Sequence, residues 1–262
     1  MKRYPYYTLL LLLIASIACG AQGTNPEPTI PPVESTQTVA PTDTPLPTDT
    51  ATPLPTATPD VEATAAVRAT ESASEVFNEL DHLLDNSDIV YQDGHLGWQQ
   101  TEQMNIQLSG PDFEIMGIDD DLTAGDFIFK SDVTWEATGL LFCGAVFRSE
   151  PSLEEGKQYQ FVFLRLSGLP AWTIEVHEFG SYQNTPTDVR TSKDLDLRNG
   201  ATNQFLLVVQ DDNFTLYLNG VRQGRYYDYS KQRASGSIGF MGYQDSGNGI
   251  CEFENSWVWL LE

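Results

Sequence analysis

The chain has 262 residues and carries 37 acidic against 14 basic residues, a formal net charge of −23. Such a surface repels phosphate, which argues against nucleic acid as a partner. The sequence contains three histidines and three cysteines. Because the histidines lie far apart and no cysteines are spaced as CxxC, a zinc-cluster protein is excluded.

The first eighteen residues have the layout of a secretory signal peptide. Lys2 and Arg3 precede an apolar run over residues 6–18, which is shorter than the ~20 residues that span a bilayer. We therefore predict that residues 1–18 are removed. The mature chain then keeps 12 basic and 37 acidic residues, a net charge of −25.

The residues around the cleavage point, Ser16-Ile17-Ala18-Cys19, resemble the bacterial lipobox, although Ser16 stands where leucine is usual. The resemblance implies that Cys19 is lipidated and becomes the mature N-terminus. That would anchor the protein at the extracellular face of the bacterial cell membrane through its lipid. Ser16-Ile17-Ala18 also satisfies the small-x-small rule for ordinary signal cleavage, so simple secretion is the alternative.

Residues 19–60 are predicted to form a disordered linker. From Asn25 to Pro59 the chain is dominated by Pro, Thr, Ala and Asp, and the sequence TPLPT occurs at Thr44–Thr48 and again at Thr52–Thr56. Such a segment has too little apolar surface to offset the entropy of ordering. It is therefore expected to stay unfolded and partly extended.

Residues 61–88 are predicted to contain one short helix. Ser72-Ala73-Ser74-Glu75 has the spacing of a capping box, and the apolar residues that follow fall on one helical face. These are Ala73, Val76, Phe77, Leu80, Leu83 and Leu84. The helix is expected to end near Asn86 and to cover an edge of the domain that follows.

Residues 89–262 are predicted to form an all-β domain. After Ile89 the hydrophobic period changes to two, as in Phe127–Trp135, and Gly, Asp and Asn separate roughly a dozen such runs. With no helical pattern between the runs, this indicates an antiparallel β-sandwich. Asn219-Gly220 supplies the two positive-φ residues of a type I′ hairpin turn after Phe214–Leu218.

Several of these runs resemble a known family. The segments are FIFKSDVTWEATGLLFCGAVFR (Phe127–Arg148), FTLYLNGVRQG (Phe214–Gly224), SIGF (Ser237–Phe240) and FENSWVW (Phe253–Trp259). They are similar to concanavalin A-like jelly rolls, which include lectin, laminin-G and glucanase domains, and more closely to 3-keto-disaccharide hydrolase-like domains. The resemblance implies two curved antiparallel sheets with any ligand on the concave face or its rim.

The resemblance also raises the question of catalysis. Laminarinase-like relatives place Glu-x-Asp-x-Glu on one strand, and Glu175 begins a comparable stretch. His177 and Phe179 stand where the second and third acids would be, so the motif fails at two positions. If the chain is nevertheless a hydrolase, Glu175 with His177 is the predicted acid and base.

For a ligand on the concave face, alternation nominates Arg148, Arg165, Glu175 and His177 as polar side chains of neighbouring strands. Trp172 is the nearby aromatic candidate, although alternation places it on the other face unless a bulge intervenes.

A basic ribbon forms a second candidate surface. Arg222 and Arg225 alternate with tyrosines such as Tyr227, and arginine with tyrosine suits contact with sugars or acidic polymers. The alternative is that these charges protect a sheet edge and pair with neighbouring carboxylates.

In the topology that the resemblance implies, the last strand brings Cys251 towards Cys143. With Cys19 carrying lipid, these two cysteines remain as a pair in an oxidising compartment, which favours a disulfide over two buried thiols.

We expect no cofactor, with calcium as the alternative. Asp119-Asp120-Asp121 and Asp211-Asp212-Asn213 offer oxygen ligands for Ca²⁺, yet acidic turns are common without any metal.

Taken together, the sequence favours a surface lipoprotein whose non-catalytic sandwich binds a glycan or another cell-surface polymer. The alternatives are a glycoside or keto-sugar hydrolase of the same fold, and a structural or protein-interaction module.

Overall fold

The structure is a computed structural model, and it describes residues 61–166 and 168–261. The predicted signal peptide (residues 1–18), the predicted lipidation site Cys19 and the predicted linker (residues 19–60) lie outside the described residues. In the part of the chain that is described, the helix is not apolar enough to cross a membrane.

One helix precedes thirteen strands within these residues. The elements are α1 (Val61–Leu83), β1 (His95–Gln99), β2 (Met104–Ser109), β3 (Asp112–Gly117), β4 (Phe127–Thr138), β5 (Leu141–Ser149), β6 (Gln158–Leu166), β7 (Leu169–Glu178), β8 (Ser181–Thr191), β9 (Ala201–Gln210), β10 (Asn213–Leu218), β11 (Val221–Tyr227), β12 (Ser237–Gln244) and β13 (Asn248–Leu260).

The strands form two antiparallel sheets that pack face to face. The seven-stranded sheet has the order β1-β13-β4-β9-β10-β11, with β2 also paired to β13, and the six-stranded sheet has the order β3-β12-β5-β6-β7-β8. The predicted fold class, an antiparallel β-sandwich preceded by one helix, is confirmed. The period-two pattern is the cause, because every second side chain of each strand enters the layer between the sheets.

Aromatic rings fill the layer between the sheets. Phe240 of the six-stranded sheet stacks on Phe253 of the seven-stranded sheet with ring centroids 4.1 Å apart, and Phe129 meets Phe205 edge to face at 5.3 Å. These four side chains are at most 1% exposed. Rings of this size contribute most of the apolar area that a sandwich core removes from water.

The helix packs on the outer face of the seven-stranded sheet. The sequence instead predicts that it covers an edge, and that expectation is wrong. Val76 and Leu80 of the helix, with Leu84 directly after its end, share a second apolar cluster with Leu206 and Val208. Strand β9 is therefore apolar on both faces, which explains its unbroken run Phe205–Val209. Covering that second face removes a large apolar patch from solvent.

The helix also begins earlier than the predicted capping box. It starts at Val61, so the serines of the Ser72–Glu75 motif lie inside it. Ser74 Oγ donates a hydrogen bond of 3.0 Å to the Thr70 carbonyl, one turn back, instead of capping an N-terminus. The end agrees with expectation, since Asn86 adopts the left-handed φ of 63° that follows many helices.

A β-bulge in β13 aims two tryptophans at the helix. The register of β13 against β4 shifts between Glu254 and Trp257. Before the shift Phe253 faces the core between the sheets, and after it Trp257 and Trp259 face the helix. One inserted residue is enough, because side chains along a strand alternate with a period of two.

A buried lysine joins the helix to the sheet. Lys130 Nζ lies 3.3 Å from Glu79 Oε1 of the helix and 3.2 Å from Asp132 Oδ2, and it donates to the Asn255 carbonyl at 3.0 Å. Trp257 Nε1 donates to the second oxygen of Glu79 at 2.7 Å. Glu79 therefore satisfies two buried donors at once.

A disulfide links the two sheets. Cys143 of β5 and Cys251 of β13 are bonded, with Cα atoms 5.8 Å apart and a sequence separation of 108. The predicted pairing is confirmed. The bond closes a loop that contains most of the strands, so it removes much conformational freedom from the unfolded chain.

Replacing both cysteines by alanine should lower the free energy of unfolding by at most about 4.7 kcal/mol, the chain-entropy value for a loop of about 100 residues. Urea denaturation of the wild type and the double variant measures the difference. Reductant should destabilise the wild type and leave the double variant unchanged. A variant as stable as the oxidised wild type would contradict this role.

Replacing Glu79 by alanine should lower the free energy of unfolding by about 1 to 3 kcal/mol, because buried donors of Lys130 and Trp257 lose their acceptor. Glu71→Ala is the matched control, since Glu71 is exposed on the same helix. Urea denaturation should place the control within about 0.5 kcal/mol of the wild type. Equal effects of the two substitutions would show that Glu79 does not anchor the helix.

Candidate functional site

A groove of about 440 Å³ lies on the outer face of the six-stranded sheet, the face turned away from the core. Its apolar floor is formed by Phe113, Phe142, Val162, Met241 and Tyr243. Its polar end is formed by Gln160, Glu175, His177 and Tyr182, with Gly180 beside them. The groove thus combines flat apolar surface with a compact set of hydrogen-bonding groups.

Strand register places these side chains together. On β6, Tyr159, Phe161 and Phe163 enter the core, so Gln160 and Val162 point outward. Gln160 pairs with Glu175 of the neighbouring β7. Directly opposite residues of an antiparallel pair have side chains on the same face, about 5 Å apart at Cβ.

Glu175 and His177 form a hydrogen-bonded pair at the polar end. They are two apart on β7 and therefore share its outer face. His177 Nε2 lies 2.9 Å from Glu175 Oε2, and the ring of Tyr182 on β8 meets the His177 ring edge to face at 6.1 Å. These contacts hold the carboxylate and the imidazole in fixed positions within the groove.

Gln160 is the buried polar residue of the groove. The side chain is 2% exposed, and its Nε2 has no hydrogen-bond partner among the described residues. An unmatched buried donor costs about 1 to 3 kcal/mol, so each such group calls for an explanation. Gln160 is one of the residues that line the groove, so a ligand bound there is a candidate partner for this donor.

The turn between β7 and β8 forms the rim beside this polar end. Phe179 and Gly180 have positive φ values of 52° and 65°, and Phe179 is 76% exposed. Its backbone N–H donates to the Glu155 carbonyl at 2.8 Å, which ties the turn to the β5–β6 loop. A large side chain in the left-handed region is strained, and such strain is often kept where a residue serves function.

Of the nominated residues, Glu175 and His177 line the groove, whereas Arg148 does not. Arg148 is 2% exposed and donates to the carbonyls of Gly125 and Asp211 and to the carboxylate of Asp126. Its positive φ of 47° ends the alternation of β5 and redirects the side chain. Burial lowers the pKa of Arg148, and Asp126 opposes that shift.

Trp172 and Arg165 also lie away from the groove. Trp172 shares the inward face of β7 with Ile174 and Val176, and its ring lies 5.4 Å from that of Tyr226. Arg165 has the inward parity of Phe163 and emerges at the end of the strand beside Pro170. The expectation that Arg165 faces a ligand with Glu175 is therefore wrong by one step of the alternation, whereas Trp172 lies on the other face of β7, where alternation places it.

The basic ribbon is an edge strand whose charges have partners. Arg222 and Arg225 lie 3.6 and 3.3 Å from the carboxylate of Asp88. Tyr227 packs its ring 4.8 Å from that of Tyr229. None of these residues lines the groove, and β11 ends the seven-stranded sheet, so the pairing agrees with the edge-protection interpretation.

The two acidic turns are satisfied locally. Asp119 Oδ1 accepts a hydrogen bond of 2.8 Å from the Asp121 backbone N–H, and Asp212 pairs with Lys231. The hydrogen bond that Lys231 donates to Asp212 lowers the pKa of the Asp212 carboxyl. Across residues 61–166 and 168–261, no three acidic, histidine or cysteine side chains are grouped as metal ligands.

A larger cavity of about 640 Å³ lies beside the helix, around Glu79 and Lys130. Its central lysine already contacts Glu79, Asp132 and the Asn255 carbonyl. An ammonium has three donors, so none is left for a ligand. This cavity therefore belongs to the anchoring of the helix.

Sequence reasoning missed Gln160, Tyr182 and the apolar floor. A signal for Gln160 is present, because Gln158 and Gln160 alternate with Tyr159 and Phe161. The floor residues come from β3, β5, β6 and β12, and the adjacency of β3, β12 and β5 in the sheet is not a local property of the sequence.

No family model matches the chain, and no curated protein matches it in sequence. Its fold is similar to those of several solved structures. The carbohydrate-binding module CBM66 from Bacillus subtilis has a TM-score of 0.44 at 16% identity, covering 58% of this chain and 84% of that one. A β-glucanase from Bacillus licheniformis has a TM-score of 0.44 at 10% identity, covering 61% and 79%.

A β-1,3-1,4-glucanase from a mouse hindgut metagenome has a TM-score of 0.45 at 7% identity, covering 63% of this chain and 83% of that one. Carbohydrate-binding and glucanase folds are the kinds that the sequence resemblance predicted. At these TM-scores and identities, the likeness carries no inference about what this chain binds or does.

Replacing Phe179 by asparagine should raise the free energy of unfolding by about 1 kcal/mol, because asparagine tolerates the left-handed φ that penalises phenylalanine. Phe179→Leu is the matched control, since leucine pays the same backbone cost. Urea denaturation compares the two variants with the wild type. Equal stability of the asparagine and leucine variants would show that the turn is not strained.

Proposed function

We propose that this chain binds a glycan in the groove of the six-stranded sheet without cleaving it. The observation that carries the proposal is the buried Gln160 amide nitrogen, which has no partner among the described residues and belongs to a side chain beside the Glu175–His177 pair in an aromatic-lined groove. Sugars present apolar C–H faces and many hydroxyl groups. Aromatic rings and planar polar side chains are the groups that complement both.

The carboxylates of the groove favour binding over hydrolysis. Glycosidic bond cleavage normally needs two carboxyl groups, about 5 to 9.5 Å apart. Among the described residues that line the groove, Glu175 is the one carboxylate. The neighbouring Glu178 lies 3.8 Å from Lys157, and alternation turns it to the other face of β7.

We propose further that lipid on Cys19 holds the protein at the extracellular face of a bacterial membrane, with residues 19–60 as a flexible linker. The support is the sequence alone, namely the apolar leader, the Ser16–Cys19 motif and the Pro- and Thr-rich composition. Such a tether gives a rigid binding domain reach to polymers outside the cell. The mass of the native N-terminus tests the lipid, and an unmodified Cys19 would refute it.

Binding is tested with the mature chain carrying Cys19→Ser, which is incubated with insoluble polysaccharides and scored for co-sedimentation and released reducing sugar. We expect saturable binding without release. Tyr182→Ala should weaken binding by about tenfold, because the loss of one central aromatic contact typically costs more than 1 kcal/mol. Tyr229→Ala is the matched control, since Tyr229 is 88% exposed and lies outside the groove.

Three outcomes would contradict the proposal. Absence of binding across the panel would favour a structural or protein-interaction module. Equal effects of the two tyrosine substitutions would move the ligand away from the groove. Sugar release that Glu175→Gln abolishes would instead establish a hydrolase with Glu175 and His177 as its acid and base.

A further inference from the structure

The groove offers a carboxylate and no permanent positive charge. Among the described residues that line it there is neither arginine nor lysine, and Glu175 is the one carboxylate. The nearby cation Lys157, on the β5–β6 loop, is paired with another carboxylate, because its Nζ lies 3.8 Å from Glu178 Oε2 at the end of β7. His177 is already hydrogen-bonded to Glu175. An anionic sugar placed here would meet a carboxylate without a compensating cation, and an unpaired charge in a desolvated site is strongly disfavoured.

The polar end presents a donor opposite an acceptor. Gln160 of β6 pairs in register with Glu175 of β7, so the two side chains lie side by side on the same face. The Gln160 amide nitrogen only donates, and an ionised Glu175 only accepts. A hydroxyl group can satisfy both, because it accepts one hydrogen bond and donates another. A ligand carboxylate or sulfate accepts only, so it would suit Gln160 and be repelled by Glu175.

We infer that Gln160 and Glu175 together recognise a sugar hydroxyl, so that the groove selects neutral glycans over uronic-acid or sulfated ones. The inference rests on the proposed function and specifies its ligand class. Glu175 is the specificity-determining residue, because its carboxylate repels an anionic ligand. Gln160 supplies the donor of the pair, since its buried Nε2 has no partner among the described residues. His177 is a positioning residue, since its hydrogen bond of 2.9 Å fixes the Glu175 carboxylate.

The strand provides a matched control. Gln158 lies two residues from Gln160, is equally buried at 1% exposure and also has an amide nitrogen without a partner among the described residues. It does not line the groove, and its Oε1 accepts a hydrogen bond of 3.0 Å from Ser149. Substitution of either glutamine by leucine removes a buried donor, but only the change at Gln160 removes one from the groove.

The experiment uses the mature chain with Cys19→Ser and pairs of polymers that share one backbone. Each neutral glucan, mannan, galactan or fructan is compared with the same polymer after oxidation of its primary hydroxyls to carboxylates. Affinity electrophoresis is run in low salt and in about 1 M salt, where the screening length falls to about 3 Å and long-range repulsion by the acidic protein vanishes.

Wild-type protein should bind a neutral polymer at least about tenfold more tightly than its oxidised counterpart in both salts. Gln160→Leu should weaken neutral binding by at least about tenfold while raising Tm, because a buried donor without a partner is removed. Gln158→Leu should leave binding within about twofold of the wild type. Glu175→Gln should reduce the ratio of the affinities for the neutral and the oxidised polymer to about threefold or less in high salt, since the repelling charge is gone.

Tighter binding of the oxidised polymers, or a Gln160→Leu variant that binds as the wild type does, would overturn the inference while leaving glycan binding intact. Loss of discrimination in high salt would overturn it as well, because selection would then be a property of the net charge alone. Binding to neither class would refute the proposed function itself, and the inference with it.

Discussion

The centre of the seven-stranded sheet is apolar on both faces, and this constraint organises the rest of the molecule. Leu206 and Val208 of β9 point outward, while Leu207 and Val209 fill the core. An uncovered apolar face there would favour association with other molecules, and α1 packs over it. The groove lies on the outer face of the other sheet, the six-stranded one.

The alternation that builds the sandwich also decides which predictions could succeed. The strands and the two-layer architecture follow from period two, which is a property of the sequence itself. The Cys143–Cys251 bond is expected from the topology that the family resemblance implies, together with the count of cysteines. The helix lies on the face of the sheet and not at its edge because the run Phe205–Val209 is apolar on both sides. A search for alternating apolar and polar residues does not detect such a run. Its meaning appears only once β4 and β9 are seen side by side.

The candidate site shows the same limit at the level of single residues. Glu175 and His177 were predicted on one face of one strand, and a strand fixes that relation locally. Arg148 breaks the alternation through its positive φ, which no sequence pattern around it announces. The floor residues Phe142 and Tyr243 are 101 positions apart in the sequence. They nevertheless pair directly across β5 and β12, with ring centroids 5.2 Å apart.

Two features of the groove and its rim reduce the stability of the fold, and both lie where a ligand in the groove would contact the protein. Gln160 buries a donor that has no partner among the described residues, and Phe179 holds a large ring in a strained turn at the rim. A sandwich with a well-filled core and a disulfide between its sheets tolerates such local costs. Proteins keep residues of this kind chiefly where function requires them, because stabilising replacements are readily accessible. The net charge of −23 acts in the same sense over longer distances. At long range the net charge repels anionic polymers before they touch the protein. At short range the selection that we propose for the groove acts on polymers that reach it. Both effects favour a neutral ligand.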